Sequence, residues 1–182
     1  MTAQESAFLT DVRTLRERAR KHIEKGAVTP GYKADPRAVI EMLNAALATE
    51  LVCVLRYRHH AYMASGIHAT SVAQEFQEHA DEEQGHADLI ARRIMQLGGE
   101  PDLNPDTLSA RSHSEYVSTK DLVGMIRENL VAERIAIDSY AEMIRYIGND
   151  DPTTRRMLEE ILAVEEEHAD DLVNLLEGHP SR

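Results

Sequence analysis

The sequence predicts an all-α protein: four long helices packed as a bundle, one long crossover between the second and third, and an N-terminal helical extension. Three observations carry this. Apolar residues recur at three- and four-residue steps through most of the chain, with no strand-like alternation of any length. Ala, Leu, Glu, Arg and Ile dominate, which favours helix. The breaks between the periodic segments run short, long, short, and a bundle of two antiparallel hairpins needs one long connection from end to end.

In order along the chain, residues 6–25 place Phe8, Val12, Leu15, Ala19 and Ile23 at helical intervals. The stretch GAVTPGYKADP follows, broken by Gly26, Pro30, Gly31 and Pro36, and reads as a connector. The first long helix should start at Pro36, a residue the first helical turn tolerates, and reach about residue 65. SGIHATS then leads into a second helix ending at Gly98-Gly99. The segment EPDLNPDTLSARSHSEYVSTK has little periodicity and supplies the crossover. A third helix should run from near Thr119 to Gly148, and GNDDP turns the chain into a fourth that stops at Gly178. Each helix would be about 40 Å long at the standard rise. The expected division is residues 1–35 as an extension with an amphipathic basic helix, 36–178 as the bundle, and 179–182 as a tail.

A chain of 182 residues is one domain by length. Its formal net charge of -12 argues against the body of the protein binding nucleic acid or an anionic membrane, and suits one that attracts cations. Arg13 to Lys25 is the local exception, with six Lys or Arg against two Glu. DNA binding through that segment is a secondary expectation, and packing on its own or a neighbouring subunit is the favoured one. The single cysteine, Cys53, allows no intramolecular disulfide and reads as a small buried hydrophobe. The N-terminus lacks the apolar core of a signal peptide, and no run approaches the length that spans a bilayer. A cytoplasmic location is expected.

The informative residues are those that interrupt the apolar stripes. Leu43, Leu47, Val54 and Tyr57 frame Glu50 on the first long helix. On the second, Val72, Phe76, Ile90 and Leu97 are interrupted by His79, Glu83 and His86. On the third, Leu122, Ile126, Ile137, Tyr140 and Ile144 frame Glu133; on the fourth, Leu158, Ile161, Leu172 and Leu175 continue onto Glu165 and His168. Every helix sends a carboxylate inward at mid-length.

The halves repeat each other. Glu50 precedes Tyr57 as Glu133 precedes Tyr140, and Glu83-x-x-His86 is matched by Glu165-x-x-His168. A helix–loop–helix unit used twice about an approximate two-fold axis brings four Glu and two His to one level. A buried unpaired carboxylate costs several kcal/mol, and four together also repel. Two divalent cations would neutralise all four. Carboxylate plus imidazole suits iron or manganese better than a thiolate-loving metal.

Plainer readings exist for the parts. A lone Glu-x-x-His arises by chance, and AVEEEHADDL alone would be a solvated helix face. Tyr57 and Tyr140 read either as core aromatics or as neighbours of the metals, and His79 as a supporting residue rather than a ligand. The doubled spacing of six inward residues has no shared structural excuse.

The segments ALATELVCVLRY, EEQGHADLIARRI, NLVAERIAIDSY and ILAVEEEHADDL carry the arrangement known for ferritin-like di-iron carboxylate proteins. Within that family the chain most resembles bacterioferritin, over about residues 36–176. The resemblance implies that Glu83 and Glu165 bridge two irons, that Glu50 and His86 complete one, and that Glu133 and His168 complete the other. It also implies ferroxidation, with Fe(II) oxidised by O2 or H2O2 and Fe(III) stored in a homo-oligomeric cage. Gln84 stands where bacterioferritin has its haem-ligating Met, so haem is not expected. Only HPSR follows Gly178, with no fifth helix, and the N-terminal extension is absent from bacterioferritin. Both features resemble the twelve-subunit shells of the Dps (DNA protection during starvation) family more than a 24-subunit cage. Typical Dps shells build the site between subunits, whereas all six ligands here lie on one chain. Dps-like shells with bacterioferritin-type sites carry a cysteine pair near the site, and here only Cys53 is available. The alternatives are a Dps-like H2O2-consuming mini-ferritin that protects DNA, a di-metal oxidoreductase on an organic substrate, and a metal-free interaction or DNA-compaction protein.

Overall fold

The computed structural model describes residues 10–66 and 69–178. Among these residues there is no strand. The long helices are α2 (Pro36–Met63), α3 (Ala69–Gln96), α5 (Leu122–Ile147) and α6 (Pro152–Glu177); α1 (Val12–Ala19), a 3₁₀ turn (Ile23–Lys25) and α4 (Leu108–Arg111) are short. At 26 to 28 residues the long helices have the expected length of about 40 Å.

Each helix begins and ends where local chemistry dictates. Asp35 and Asp151 precede Pro36 and Pro152, and their carboxylates accept from the backbone N–H of Arg37 and Thr154. Asp121 caps α5 through Gly124, a few residues later than the sequence suggests. Helix α3 ends at Gly98, whose φ of +83° suits the left-handed residue that closes a helix. The next residue, Gly99, lets the chain turn against α2, since a Cβ there would lie 2.8 Å from Ile40.

Helices α2 and α3 form one antiparallel hairpin, and α5 and α6 the other. The crossover runs along α2 and is fastened at three levels. Asn44 holds the Glu100 carbonyl and the Asp102 N–H. Thr49 accepts from the His113 N–H. Arg56, fully buried, donates to Ser114 Oγ and the Glu115 carbonyl. The single helical turn of α4 was not legible in the sequence.

Two apolar cores fill the bundle. Leu43, Leu47, Ile90, Ile94, Met143, Ile147, Leu158 and Ile161 pack at one end. Val72, Phe76, Ala80, Met125, Ile126 and Leu172 pack at the other. The polar residues that interrupt the stripes lie between them.

Two expectations need correction. The helix expected over residues 6–25 is confined, within the described residues, to Val12–Ala19, because His22 turns left-handed at φ 54°. Its apolar residues Val12, Leu15 and Ile23 are at least half exposed, so tertiary packing within the chain does not extend it. Phe8 lies outside the described residues. The second concerns membrane-spanning length. By length and composition α2 is apolar enough to cross a membrane, with a mean hydropathy of 1.8 over an 18-residue window. More than half of that window is buried in the bundle, and Glu50 sits near its middle, fully buried.

Candidate di-metal centre

At the mid-level of the bundle, Glu50 from α2, Glu83 and His86 from α3, Glu133 from α5, and Glu165 and His168 from α6 converge, each buried. They form two overlapping groups. Glu50, Glu83, His86 and Glu165 offer one ligand atom each within 4.8 Å of one another, and so do Glu83, Glu133, Glu165 and His168. Glu83 and Glu165 belong to both.

The imidazoles are aimed. His86 Nδ1 lies 3.3 Å from Glu50, 3.6 Å from Glu83 and 3.0 Å from Glu165. His168 Nδ1 lies 3.8 Å from Glu83, 3.9 Å from Glu133 and 3.8 Å from Glu165. His168 Nε2 donates to Glu82 at 2.7 Å, which leaves the neutral ring's lone pair on Nδ1, facing the carboxylates. The Nδ1 and oxygen separations match donors that share one ion at about 2.1 Å each.

The tyrosines complete a crossed pattern. Tyr57 on α2 donates to Glu133 on α5, and Tyr140 on α5 donates to Glu50 on α2. Both sequence-expected aromatics therefore touch the site. His79, the third expected supporting residue, pairs its Nδ1 with the Tyr57 hydroxyl at 3.2 Å and stacks on His168 with ring centroids 4.0 Å apart.

Seven buried atoms of the six residues have no hydrogen bond: Glu50 Oε2, Glu83 Oε1, His86 Nδ1, Glu133 Oε2, both Glu165 oxygens and His168 Nδ1. Such atoms cost about 1–3 kcal/mol each when left unsatisfied. All are lone-pair donors of the kinds that hold divalent first-row metals, so the residues fit a pair of such ions. Burial, then repulsion from neighbouring carboxylates, pushes Glu83, Glu133 and Glu165 well above the ordinary glutamate value. Glu50 is the exception. Burial works to raise it, but its interactions with His86, Glu83 and Tyr140 win and hold it low. Burial and the nearby His86 push His168 down to about 4, so its ring is neutral.

Sequence reasoning missed Arg56, which lies beside the centre and donates to Asn129 Oδ1 at 2.9 Å and toward Cys53 Sγ at 3.4 Å. His60 also meets Asn129 Oδ1, at 3.2 Å. The signal was available: Cys53, Arg56 and His60 share the inward face of α2, where an arginine is out of place. Glu82 had no such signal, because it is an exposed acid beside a ligand position.

Four helices presenting one Glu each from α2 and α5 and a Glu-x-x-His pair each from α3 and α6 give the donor arrangement of ferritin-like di-metal carboxylate proteins. Residues 40–179 match the ferritin-like domain family, and the chain belongs to it. Bacterioferritin of Rhodobacter capsulatus is 32% identical over 134 residues, covering 72% of this chain and 78% of that protein. The bacterioferritin-related protein of Bacteroides fragilis, described as a dodecameric thioferritin, superposes with a TM-score of 0.77 at 37% identity, covering 80% of this chain and 88% of that one. The bacterioferritin of Desulfovibrio desulfuricans, whose structure describes a di-iron site in different catalytic states, superposes with a TM-score of 0.68 at 26% identity, covering 77% of this chain and 78% of that one.

Proposed function

We propose that this protein is an iron-storage and detoxification ferroxidase. Fe(II) is its substrate: two ions bind per chain, each gives up one electron to O2 or H2O2, and the Fe(III) product is stored in a cage of identical subunits. The observation that supports it most is the set of seven unbonded buried donor atoms on six residues of one chain.

In this reading Glu83 and Glu165 bridge the two ions, Glu50 and His86 complete one position, and Glu133 and His168 the other. Tyr57 and Tyr140 orient Glu133 and Glu50 from the opposite hairpin. Glu82 fixes the His168 tautomer. The net charge of -12 draws cations toward the shell. Manganese fits the same donors and is the alternative native metal. Haem is left out, because Gln84 stands at the haem-ligand position and bonds its amide to Asp88 at 3.1 Å.

A twelve-subunit shell is favoured, supported by the dodecameric relative from Bacteroides fragilis. A cytoplasmic location belongs to the same reading. Burial pushes the Cys53 thiol up to about 12, which suits a structural and unreactive cysteine. The extension of residues 1–35 is proposed to pack on a neighbouring subunit, with its exposed apolar residues Val12, Leu15 and Ile23 as the contact.

Aerobic addition of Fe(II) tests the reading by the absorbance of Fe(III), and comparison of O2 with H2O2 identifies the oxidant. Gel filtration gives the particle mass, with a shell expected. Fe(II) oxidation no faster than in buffer would reject the assignment. A gel shift that shows no DNA retardation at low salt would end the secondary DNA reading.

A further inference from the structure

A second group of ligand-type residues lies beside the centre, and none of them is among its six converging residues. Glu75 and His79 on α3 and Asp171 on α6 bring one ligand atom each within 4.8 Å of one another. The His79 side chain is 3% exposed, whereas those of Glu75 and Asp171 are 32% and 42% exposed. The group therefore joins solvent to the buried level.

Hydrogen bonds fix which way the His79 lone pair points. Tyr57 has one hydroxyl proton and gives it to Glu133. At 3.2 Å the Tyr57 oxygen therefore accepts from His79 Nδ1–H. In a neutral imidazole that donates from Nδ1, the lone pair lies on Nε2. That bare nitrogen faces Glu75 Oε1 at 3.5 Å and Asp171 Oδ2 at 3.7 Å. Three ligand atoms converge there, at separations beyond a good hydrogen bond and suited to a shared ion. Glu78 and Glu82 add further negative charge near Glu75.

We propose that Glu75, His79 and Asp171 form a third divalent-cation site, open to solvent, that receives a first-row ion such as Fe(II) on its way into the centre. Two carboxylates and an imidazole suit such an ion. The feeding role rests on the ferroxidase reading; the site itself rests only on its own three residues. The stacked rings of His79 and His168 put the outer site next to the inner one.

Co(II), stable in air, is the probe, counted per chain by equilibrium dialysis of the intact protein. Wild type is expected to bind three ions and the double variant Glu75→Gln/Asp171→Asn two. The variant Glu83→Gln/Glu165→Gln, which disables the centre by isosteric changes, should keep one, and adding the outer pair of substitutions should remove it. Two ions in both wild type and the outer variant, or none in the Glu83→Gln/Glu165→Gln protein, would overturn the third site. If Glu83→Gln/Glu165→Gln lost no ions, the centre would be the reading that fails, while the outer pair would still be judged by its own loss. For the feeding role, the initial rate of Fe(II) oxidation at low Fe(II) should fall several-fold in the outer variant. A rate equal to wild type at every Fe(II) concentration would overturn it.

Discussion

Two clusters of buried charge in this bundle obey opposite rules. At one end, Arg93 on α3 meets Asp151, the cap of α6, with both carboxylate oxygens at 2.8 and 2.9 Å. Arg93 Nε also donates to Thr154 Oγ1 at 2.8 Å, and Tyr32 donates to Asp151 at 2.7 Å. Every strong group there has a partner, so the cluster fastens α3, α6 and the connector before α2 to one another. At mid-level the six converging Glu and His residues carry seven atoms with none. A satisfied cluster stabilises the fold; an unsatisfied one is held in place by the fold and is ready for something else.

The contrast predicts that substitutions separate stability from activity. Glu133→Ala should cut rapid Fe(II) oxidation by at least about 100-fold, beyond the 10–100-fold typical of changes one shell further out. The same change should leave assembly intact and the metal-free protein no less stable, since a buried uncompensated acid is gone. Oxidation kinetics beside a melting curve decide it, and a large loss of stability with normal oxidation would reverse the assignment. Arg93→Ala should do the opposite, lowering stability by about 3–5 kcal/mol through a stranded Asp151 while the centre keeps its ligands. Denaturant midpoints measure this.

The two clusters should also answer pH with opposite signs. Burial opposes Asp151's ionisation, but hydrogen bonds from Thr154, Tyr32 and Arg93 hold its carboxyl low. Its contribution is therefore present above the ordinary aspartate value and lost as pH falls through the lowered one. Glu83, Glu133 and Glu165 are raised in the folded chain. Their contribution is present below the ordinary glutamate value and lost as pH rises through the raised ones. Metal-free protein should thus melt progressively earlier toward alkaline pH, and Glu133→Gln should flatten that slope. Metal binding should release protons, which a pH-stat records; equal slopes and no release would show those carboxyls to be ionised already.

The smallest expected effect is that of Tyr57→Phe. One hydrogen bond to Glu133 and one from His79 are lost, costing about 1 kcal/mol and about tenfold in oxidation rate. No change in rate would reduce Tyr57 to a core aromatic.

Much of this contrast was legible in the sequence, and unevenly. The four long helices and their order follow from apolar periodicity and from Asp-Pro and Gly boundaries, which are local. The six inward residues stood out because a carboxylate within an apolar stripe has no ordinary reason to be there. Arg93 and Asp151 were not legible as a pair, since their meeting depends on how two helices lie side by side. The crossover's fastening to Asn44, Thr49 and Arg56 is hidden for the same reason, and the extension's helix was overread because its apolar spacing finds no core within the chain.

The crossed tyrosines have one further consequence. Each hairpin's hydroxyl steadies a carboxylate belonging to the other, so neither half of the chain owns a complete receptor for the ions. Loading is then a readout of whether the two hairpins have docked, and bound cations return the favour by mass action, holding them together.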